Sequence, residues 1–347
     1  MAAGAVASWR VGLSTPAPAP TEGVVAFDAE QLVSARASAA LALGFHEAVA
    51  ASVPPASHVD IHLPGYRSRT LVPVLSWLVA SRLALPGGTA AWHVGKQQGP
   101  ESLLRLLEGL GWTLESSRKG REVALHGSPP ATADLPEPRS FTAVLGDHQV
   151  RLYADYGVFS PEHIDAGTEL LLRVAMRERE VDTVADIGTG YGPLAIGLLL
   201  NGVARSAIAT DVDCLALWLT GKNADVNNVS LDLACTPDPT SVPPTALTVC
   251  AIPTHINRQA TERLMRGLAE RARQGRLLAA VHASLEARYT EHLLAGGLSV
   301  ERHHGAAHVV LKASKAARRH ARRLAAHERP VSAGPARAPY YRGDRRP

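Results

Sequence analysis

Apolar positions recur along this chain with two different periods, and the alternation between them predicts the architecture. Phe27 to Ala51 repeats at helical spacing, His58 to Leu63 alternates apolar and polar as a strand does, and Arg69 to Leu83 returns to helical spacing. Thr89 to Gly95 reads as a strand, Glu101 to Leu110 as a helix, and Trp112 to His126 as two strands turned at Lys119-Gly120. Further on, Phe141 to Leu145 and Gln149 to Tyr153 flank Gly146-Asp147-His148 as the arms of a hairpin, and Ile164 to Arg177 forms an amphipathic helix. Strand and helix then alternate to about Lys312. Strands joined through helices make a parallel sheet covered on both faces, so the pattern predicts doubly wound α/β units.

Where the alternation fails, the chain divides. Residues 1–23 are rich in Ala and Pro and predict no element, residues 24–127 form a first α/β unit, and residues 128–138 form a linker. The prolines of Gly127 to Pro138 can enter neither a ladder nor a helix interior. Residues 139–312 predict a second α/β unit and residues 313–347 a basic tail. A length of 347 residues with 46% hydrophobic content suits two buried cores. No apolar run nears the roughly 20 residues of a membrane-spanning helix. Met1 to Leu13, with Arg10 inside it, does not read as a secretory leader. The expectation is a soluble, cytoplasmic protein without membrane contact.

Charge and cysteine content sharpen this. Lys312 to Pro347 holds eleven Lys or Arg against Glu328 and Asp344, a net +9, which leaves −5 on the remainder of a chain whose formal total is +4. A basic end on an acidic body predicts a polyanionic partner such as RNA; a merely solubilising tail is the plain alternative. Cys214, Cys235 and Cys250 stand apart without a Cys-x-x-Cys pair, so neither a disulfide framework nor a metal site is expected.

The densest chemistry follows the apolar run Val181 to Ala185. Asp186-Ile-Gly188-Thr-Gly190-Tyr-Gly192 places three glycines between a strand and a helix, where a backbone without Cβ atoms lets a ligand lie on the main chain. Some 20 residues later, at the spacing where a doubly wound sheet sets a carboxylate on ribose hydroxyls, the run Ala207 to Thr210 ends in Asp211. Gly-x-Gly-x-Gly before Pro193 departs from the Gly-x-Gly-x-x-Gly of dinucleotide sites, and the charge of Asp186 suits a cationic ligand better than a phosphate. These residues favour S-adenosylmethionine, with Asp186, Gly188, Gly190 and Gly192 at its methionine end and Asp211 at its ribose, while the loop after the third strand (Leu231 to Cys235) offers Thr236 and Asp238 to its adenine. The first unit carries no comparable loop.

Together with Tyr156-Gly-Val-Phe159-Ser160, Asp165-Ala-Gly167-Thr-Glu-Leu-Leu-Leu172 and Asn223-Ala-Asp-Val-Asn227, these motifs resemble the ribosomal RNA guanine-N2 methyltransferases of the small-subunit methyltransferase C type over most of residues 140–312. Trp92 to His126 is similar to that family's first domain, a degenerate copy of the fold that has lost its cofactor. The resemblance implies a Rossmann-like class I methyltransferase domain behind a smaller α/β domain of related fold, with S-adenosylmethionine as cofactor and ribosomal RNA as partner. In that family the fourth strand ends in Asn-Pro-Pro-Phe, whose Asn and prolyl carbonyl accept hydrogen bonds from the target amine while Phe stacks on the base. The matching segment here is Ala251-Ile-Pro253-Thr254, followed by His255, and it lacks both the side-chain acceptor and the ring.

That departure leaves three readings open. The target atom differs, with His255 or His282 as base or hydrogen-bond partner; an amine is methylated with backbone carbonyls alone; or the protein is an RNA-binding pseudo-enzyme. A small-molecule methyltransferase of secondary metabolism is a rival with the same chemistry. Phe159 either covers the ligand or plugs the core.

Overall fold

The computed structural model, which describes residues 6–12, 17–65, 67, 69–159, 162–254 and 256–316, resolves the predicted alternation into two seven-stranded sheets of the same strand order. The first sheet holds β1 (Ser8–Val11), β2 (Glu22–Ala26), β3 (Leu41–Gly44), β4 (Ala56–His62), β5 (Ala84–Gly95), β6 (Thr113–Lys119) and β7 (Glu122–Ser128), in the order β3-β2-β1-β4-β5-β7-β6. A separate hairpin, β8 (Ser140–Leu145) and β9 (His148–Tyr153), follows the proline-rich link. The second sheet holds β10 (Val181–Ile187), β11 (Ala204–Asp211), β12 (Asp232–Cys235), β13 (Leu247–Ala251), β14 (Arg276–His282), β15 (Leu298–His304) and β16 (His308–Lys315), in the order β12-β11-β10-β13-β14-β16-β15. In both sheets five neighbouring strands run parallel, and the sixth in order enters antiparallel. The strand order reverses between β10 and β13, which is where an open α/β sheet leaves a crevice at the carboxyl ends of its strands.

Among the described residues, the α-helices that accompany the first sheet are α1 (Ala29–Arg36), α2 (Phe45–Ala50), α3 (Leu71–Leu78) and α4 (Pro100–Gly109). Those that accompany the second are α5 (Ala166–Ala175), α6 (Pro193–Leu200), α7 (Cys214–Val226), α8 (Arg258–Gln274) and α9 (Glu286–Ala295). Their starts are set by local chemistry. Asp165, Asp213 and Asn257 accept hydrogen bonds from the first free N–H groups of α5, α7 and α8, and Pro193 opens α6 where no N–H is needed.

The structure corrects the expectations in three places. Residues 1–23 were expected to form no element, yet β1 lies in the middle of the first sheet, between β2 and β4, with Trp9 and Val11 fully buried. Four residues are too few to show a period inside Ala- and Pro-rich flanks. Phe27 to Ala51 is not one helical stretch: Leu41–Gly44 is an edge strand between α1 and α2, because a short apolar run reads alike in strand and helix. At the other end, Ala313 to Lys315 complete β16 rather than starting a tail, and the Lys312 amine reaches Glu178 at 2.6 Å. The rest of the expected tail, from residue 317, lies outside the described residues.

One difference between the sheets governs function. In the second, the β10–β11 connection is long enough to contain α6; in the first, β1 and β2 are linked by residues 12–21 alone, whose described members include no helix. Among the described residues, no helix follows β1 as α6 follows β10.

The described residues up to Lys315 form one compact body, and the two halves meet by a reciprocal exchange. Ala29 N–H donates to the Val212 carbonyl at 2.7 Å and Cys214 N–H to the Phe27 carbonyl at 3.0 Å, so Asp28 and Asp213, each the cap of the helix after its sheet's second strand, face one another. Two ion pairs cross in opposite senses, Arg67 to Asp213 and Arg263 to Glu30. Phe45 packs edge-on against Trp218 with ring centroids 5.6 Å apart.

Candidate cofactor and target site

The glycine turn after β10 is held open by its own backbone and by its neighbours. Gly188, Gly190 and Gly192 take φ values of +75°, +60° and +92°, which side chains rarely allow. The N–H groups of Gly188 and Thr189 donate to the Thr210 carbonyl on β11 (2.8 and 2.9 Å), and the Thr220 hydroxyl of α7 donates to the Gly190 carbonyl at 2.8 Å. A Cβ at Gly188 or Gly190 would meet nothing within 4 Å, whereas one at Gly192 would lie 2.8 Å from the Thr220 methyl. Two of the glycines thus border open space, and the third is required by packing against α7.

The two carboxylates differ in role. Asp186 is 1% exposed; it accepts the Thr189 hydroxyl at 2.7 Å and the Ala195 N–H, so it ties the loop to the start of α6 from beneath and contributes field rather than surface. Burial pushes its carboxyl up to about 7, against the lowering effect of those two hydrogen bonds. Asp211, partly buried at the end of β11, accepts the Gly190 N–H at 2.8 Å and the Asp213 N–H at 2.9 Å. Burial, then the neighbouring Asp213 charge, push it up to about 6.

Thr236 stands one strand further out. Its N–H donates to the Asp211 carbonyl at 3.0 Å, and its hydroxyl accepts from the Asp238 N–H and the Ser241 hydroxyl. Loop, Asp211 and Thr236 therefore line successive strand ends of one edge.

On the other side of the switch point, Ala251 closes β13 beside Ala280 of β14, and the Ile252 N–H donates to the Ala280 carbonyl at 2.9 Å. Ile252 is buried, while Pro253 and Thr254 are exposed. His255 and Ser160 lie outside the described residues. The described part of this segment offers a methyl, a pyrrolidine and a hydroxyl, but neither an amide side chain nor an aromatic ring. His282 is occupied as a cap: its Nδ1 lies 2.8 Å from the Ser284 hydroxyl and accepts the Ser284 N–H, and its ring stands edge-on to His308. That is a structural role. Phe159 is 76% exposed, which rules out the core plug, and it follows Tyr156, whose φ of +64° is a strained value held by stacking on Trp218.

Several residues that hold the site were given no role in it from the sequence. Asn223, which the motif Asn223 to Asn227 marks without explaining, is buried and bonds the Tyr153 N–H (2.6 Å) and the Tyr153 and Tyr191 carbonyls (2.9 and 2.8 Å), fastening the hairpin to the glycine loop. Thr220, Thr70 and Arg67 act through contacts remote in sequence. Cys214 and Cys235 were read as isolated, but their sulfurs lie 2.7 Å apart, because the end of β12 pairs with the end of β11 just before α7 begins. Among the described residues no three His, Cys, Asp or Glu side chains converge as metal ligands.

Residues 149–292 match the family model of the methyltransferase small domain. The matched stretch is the part of the chain that carries the glycine turn, Asp186 and Asp211. Among curated relatives, the ribosomal RNA small subunit methyltransferase C of Chromohalobacter salexigens is 30% identical over 158 residues, 44% of this chain and 46% of that protein. Its counterpart from Pseudomonas putida is 27% identical over 233 residues, 64% of this chain and 69% of that protein. The chain thus spans about half the length of the first of these relatives. In fold it is similar to the T. thermophilus 16S rRNA N2 G1207 methyltransferase, solved with S-adenosylmethionine and guanosine, at a TM-score of 0.65 and 19% identity, covering 89% of this chain and 88% of that one.

Proposed function

We propose that the chain is an S-adenosylmethionine-dependent methyltransferase acting on a base of ribosomal RNA, with the second half as its catalytic domain. The observation that carries this is the pairing of open backbone at Gly188 and Gly190 with the Asp211 carboxylate on the adjacent strand end. The residues fit the cofactor: the two glycines leave room for its methionine end, Asp211 offers acceptors to ribose hydroxyls, and Thr236 borders the adenine. The buried Asp186 adds negative field beneath a cationic ligand. When bound, the cofactor supplies a methyl on a sulfonium that departs as a neutral thioether, so the protein's task is alignment. The segment 251–254 adjoins the cofactor loop across the switch point and holds the target, and the exposed Phe159 covers it. The relatives' names and the fold likeness support RNA as substrate class, and a base inside a helix must be flipped out to reach such a cleft.

Ala251 shapes the specificity. Without an amide at this position the described part of the segment offers the target main-chain carbonyls and the Thr254 hydroxyl, which favours a target other than an unassisted exocyclic amine. The test is calorimetric titration with S-adenosylmethionine, followed by incubation of the labelled cofactor with deproteinised ribosomal RNA, intact small subunits and a small-molecule extract in parallel. Binding with label in an RNA fraction is the expected result. Label in the extract alone overturns the RNA substrate, and folded protein without cofactor binding overturns the enzyme.

A further inference from the structure

Arg67 lies in the connection between β4 and α3 of the first half, yet its guanidinium, 5% exposed, is bonded to a carboxylate of the second: Nη1 to Asp213 Oδ2 at 2.9 Å and Nη2 to Asp213 Oδ1 at 2.6 Å. Asp213 is no isolated surface acid. It caps α7 through the N–H groups of Leu215 and Ala216, and its own N–H donates to Asp211 Oδ1 at 2.9 Å. Asp211 Oδ2 in turn holds the Gly190 N–H at 2.8 Å. A continuous chain of contacts therefore runs from the half without a cofactor loop, through one carboxylate, to the ribose carboxylate and the glycine turn.

We infer that Arg67 is a positioning residue for the cofactor site, supplied across the joint by the first half to orient Asp211 and to neutralise Asp213 beside it. The inference rests on the assignment of Asp211 to the ribose. Three features favour this over simple adhesion between the halves. The contact is bidentate, between an enclosed Arg67 and an Asp213 side chain 24% exposed, whereas the reciprocal pair Arg263 to Glu30 is a single 3.7 Å contact between more exposed groups. Its acid partner is bonded directly to the site, two residues from Asp211. The same connection also carries Thr70, whose hydroxyl donates to Asp155 Oδ1 at 2.8 Å, directly before the strained Tyr156 and the exposed Phe159. One loop of the first half thus steadies both walls of the cleft.

Electrostatics points the same way. Among the described residues, Asp186, Asp213 and the Cys250 thiol are coupled to Asp211, and Arg67 is a cation bonded to one of them, Asp213. Without it, the Asp213 charge faces Asp211 uncompensated and opposes its ionisation, and a ribose hydroxyl donates better to a carboxylate than to a carboxylic acid.

The experiment measures S-adenosylmethionine affinity and melting temperature for the full chain and five variants: Asp211→Ala, Arg67→Ala, Arg67→Lys, Asp213→Asn and the double variant Arg67→Ala with Asp213→Asn. Arg67→Ala is expected to weaken binding about tenfold, the size of one unit of pKa coupling. The double variant recovers most of that loss, because Asn still caps α7 and keeps its N–H on Asp211 while removing the uncompensated charge. Arg67→Lys falls between, retaining a point charge without the fork, and it serves as the readout if Arg67→Ala does not fold. Recovery of affinity by the double variant without recovery of melting temperature separates positioning from adhesion. Unchanged affinity in Arg67→Ala, or a loss that follows melting temperature and resists the second substitution, overturns the inference while leaving the cofactor assignment standing. Unchanged affinity in a folded Asp211→Ala removes the ribose assignment and this inference with it.

Discussion

At the scale of single residues, the site is a set of opposed demands on a few atoms. Asp186 and Asp211 both hold their protons more tightly than a free Asp, at about 7 and about 6, chiefly because burial disfavours the charge. Their contribution to stability is therefore fully present below about pH 4, where both states are protonated, and is lost as pH rises through the folded values. Cofactor binding runs the other way, since a cationic ligand with ribose donors prefers both groups ionised. S-adenosylmethionine is expected to bind about tenfold more tightly at pH 8 than at pH 5.5; calorimetry across that range checks it, and a flat profile would contradict the assignment of these carboxylates. The glycines separate likewise. Gly190→Ala, with open space at its Cβ, should abolish most cofactor affinity at a stability cost of about 1 kcal/mol from its backbone angle. Gly192→Ala adds a contact with Thr220 at 2.8 Å and should cost about 2 kcal/mol or more in chemical denaturation. If the two variants lose affinity and stability in equal proportion, that division of roles is wrong.

At the scale of elements, β1 is the place where local pattern and actual importance diverge most. Trp9 is fully buried, donates through its indole N–H to the Pro54 carbonyl at 2.8 Å, and lies so close to Gly23 that a Cβ there would be 2.7 Å from its ring. Trp9→Ala should cost about 3–5 kcal/mol, read from the denaturation midpoint; a loss below about 1 kcal/mol would mean that β1 is peripheral. β10 was legible for the opposite reason: an apolar run that ends on three glycines and is answered by Asp211 couples a strand, a turn and a second strand in one short signal. β3, four residues of Leu41–Gly44, has no such punctuation and merges with the helices on either side. The placement of Asp186, Gly188, Gly190, Gly192 and Asp211 at neighbouring strand ends was legible because a strand, its turn and the next strand end are local in sequence. Asn223, Thr220 and Arg67 were not, because what they do depends on partners brought near only by the completed sheets; Arg67 and Asp213 lie 146 positions apart.

At the scale of the whole molecule, the same strand order occurs twice with unequal endowment. The second sheet has the β10–α6 turn and with it a crevice; in the first, residues 12–21 join β1 to β2, and their described members include no helix. Removing residues 1–12 should therefore unfold the first half rather than trim a loose end, and should lower cofactor affinity in the second by breaking the contact of Arg67 with Asp213; retention of the full melting transition by that truncation would refute the central position of β1.

The way the halves meet has a consequence of its own. Ala29 with Val212 and Cys214 with Phe27 exchange hydrogen bonds as the matching residues of two identical subunits do about a dyad, and Arg67 and Arg263 cross it in opposite directions. A surface that complements its own copy closes on itself, and here that closure takes place inside one polypeptide. The first half is, in effect, a resident subunit: the face around α7 through which two one-sheet molecules would pair in this manner is already occupied, and the pairing cannot be diluted away.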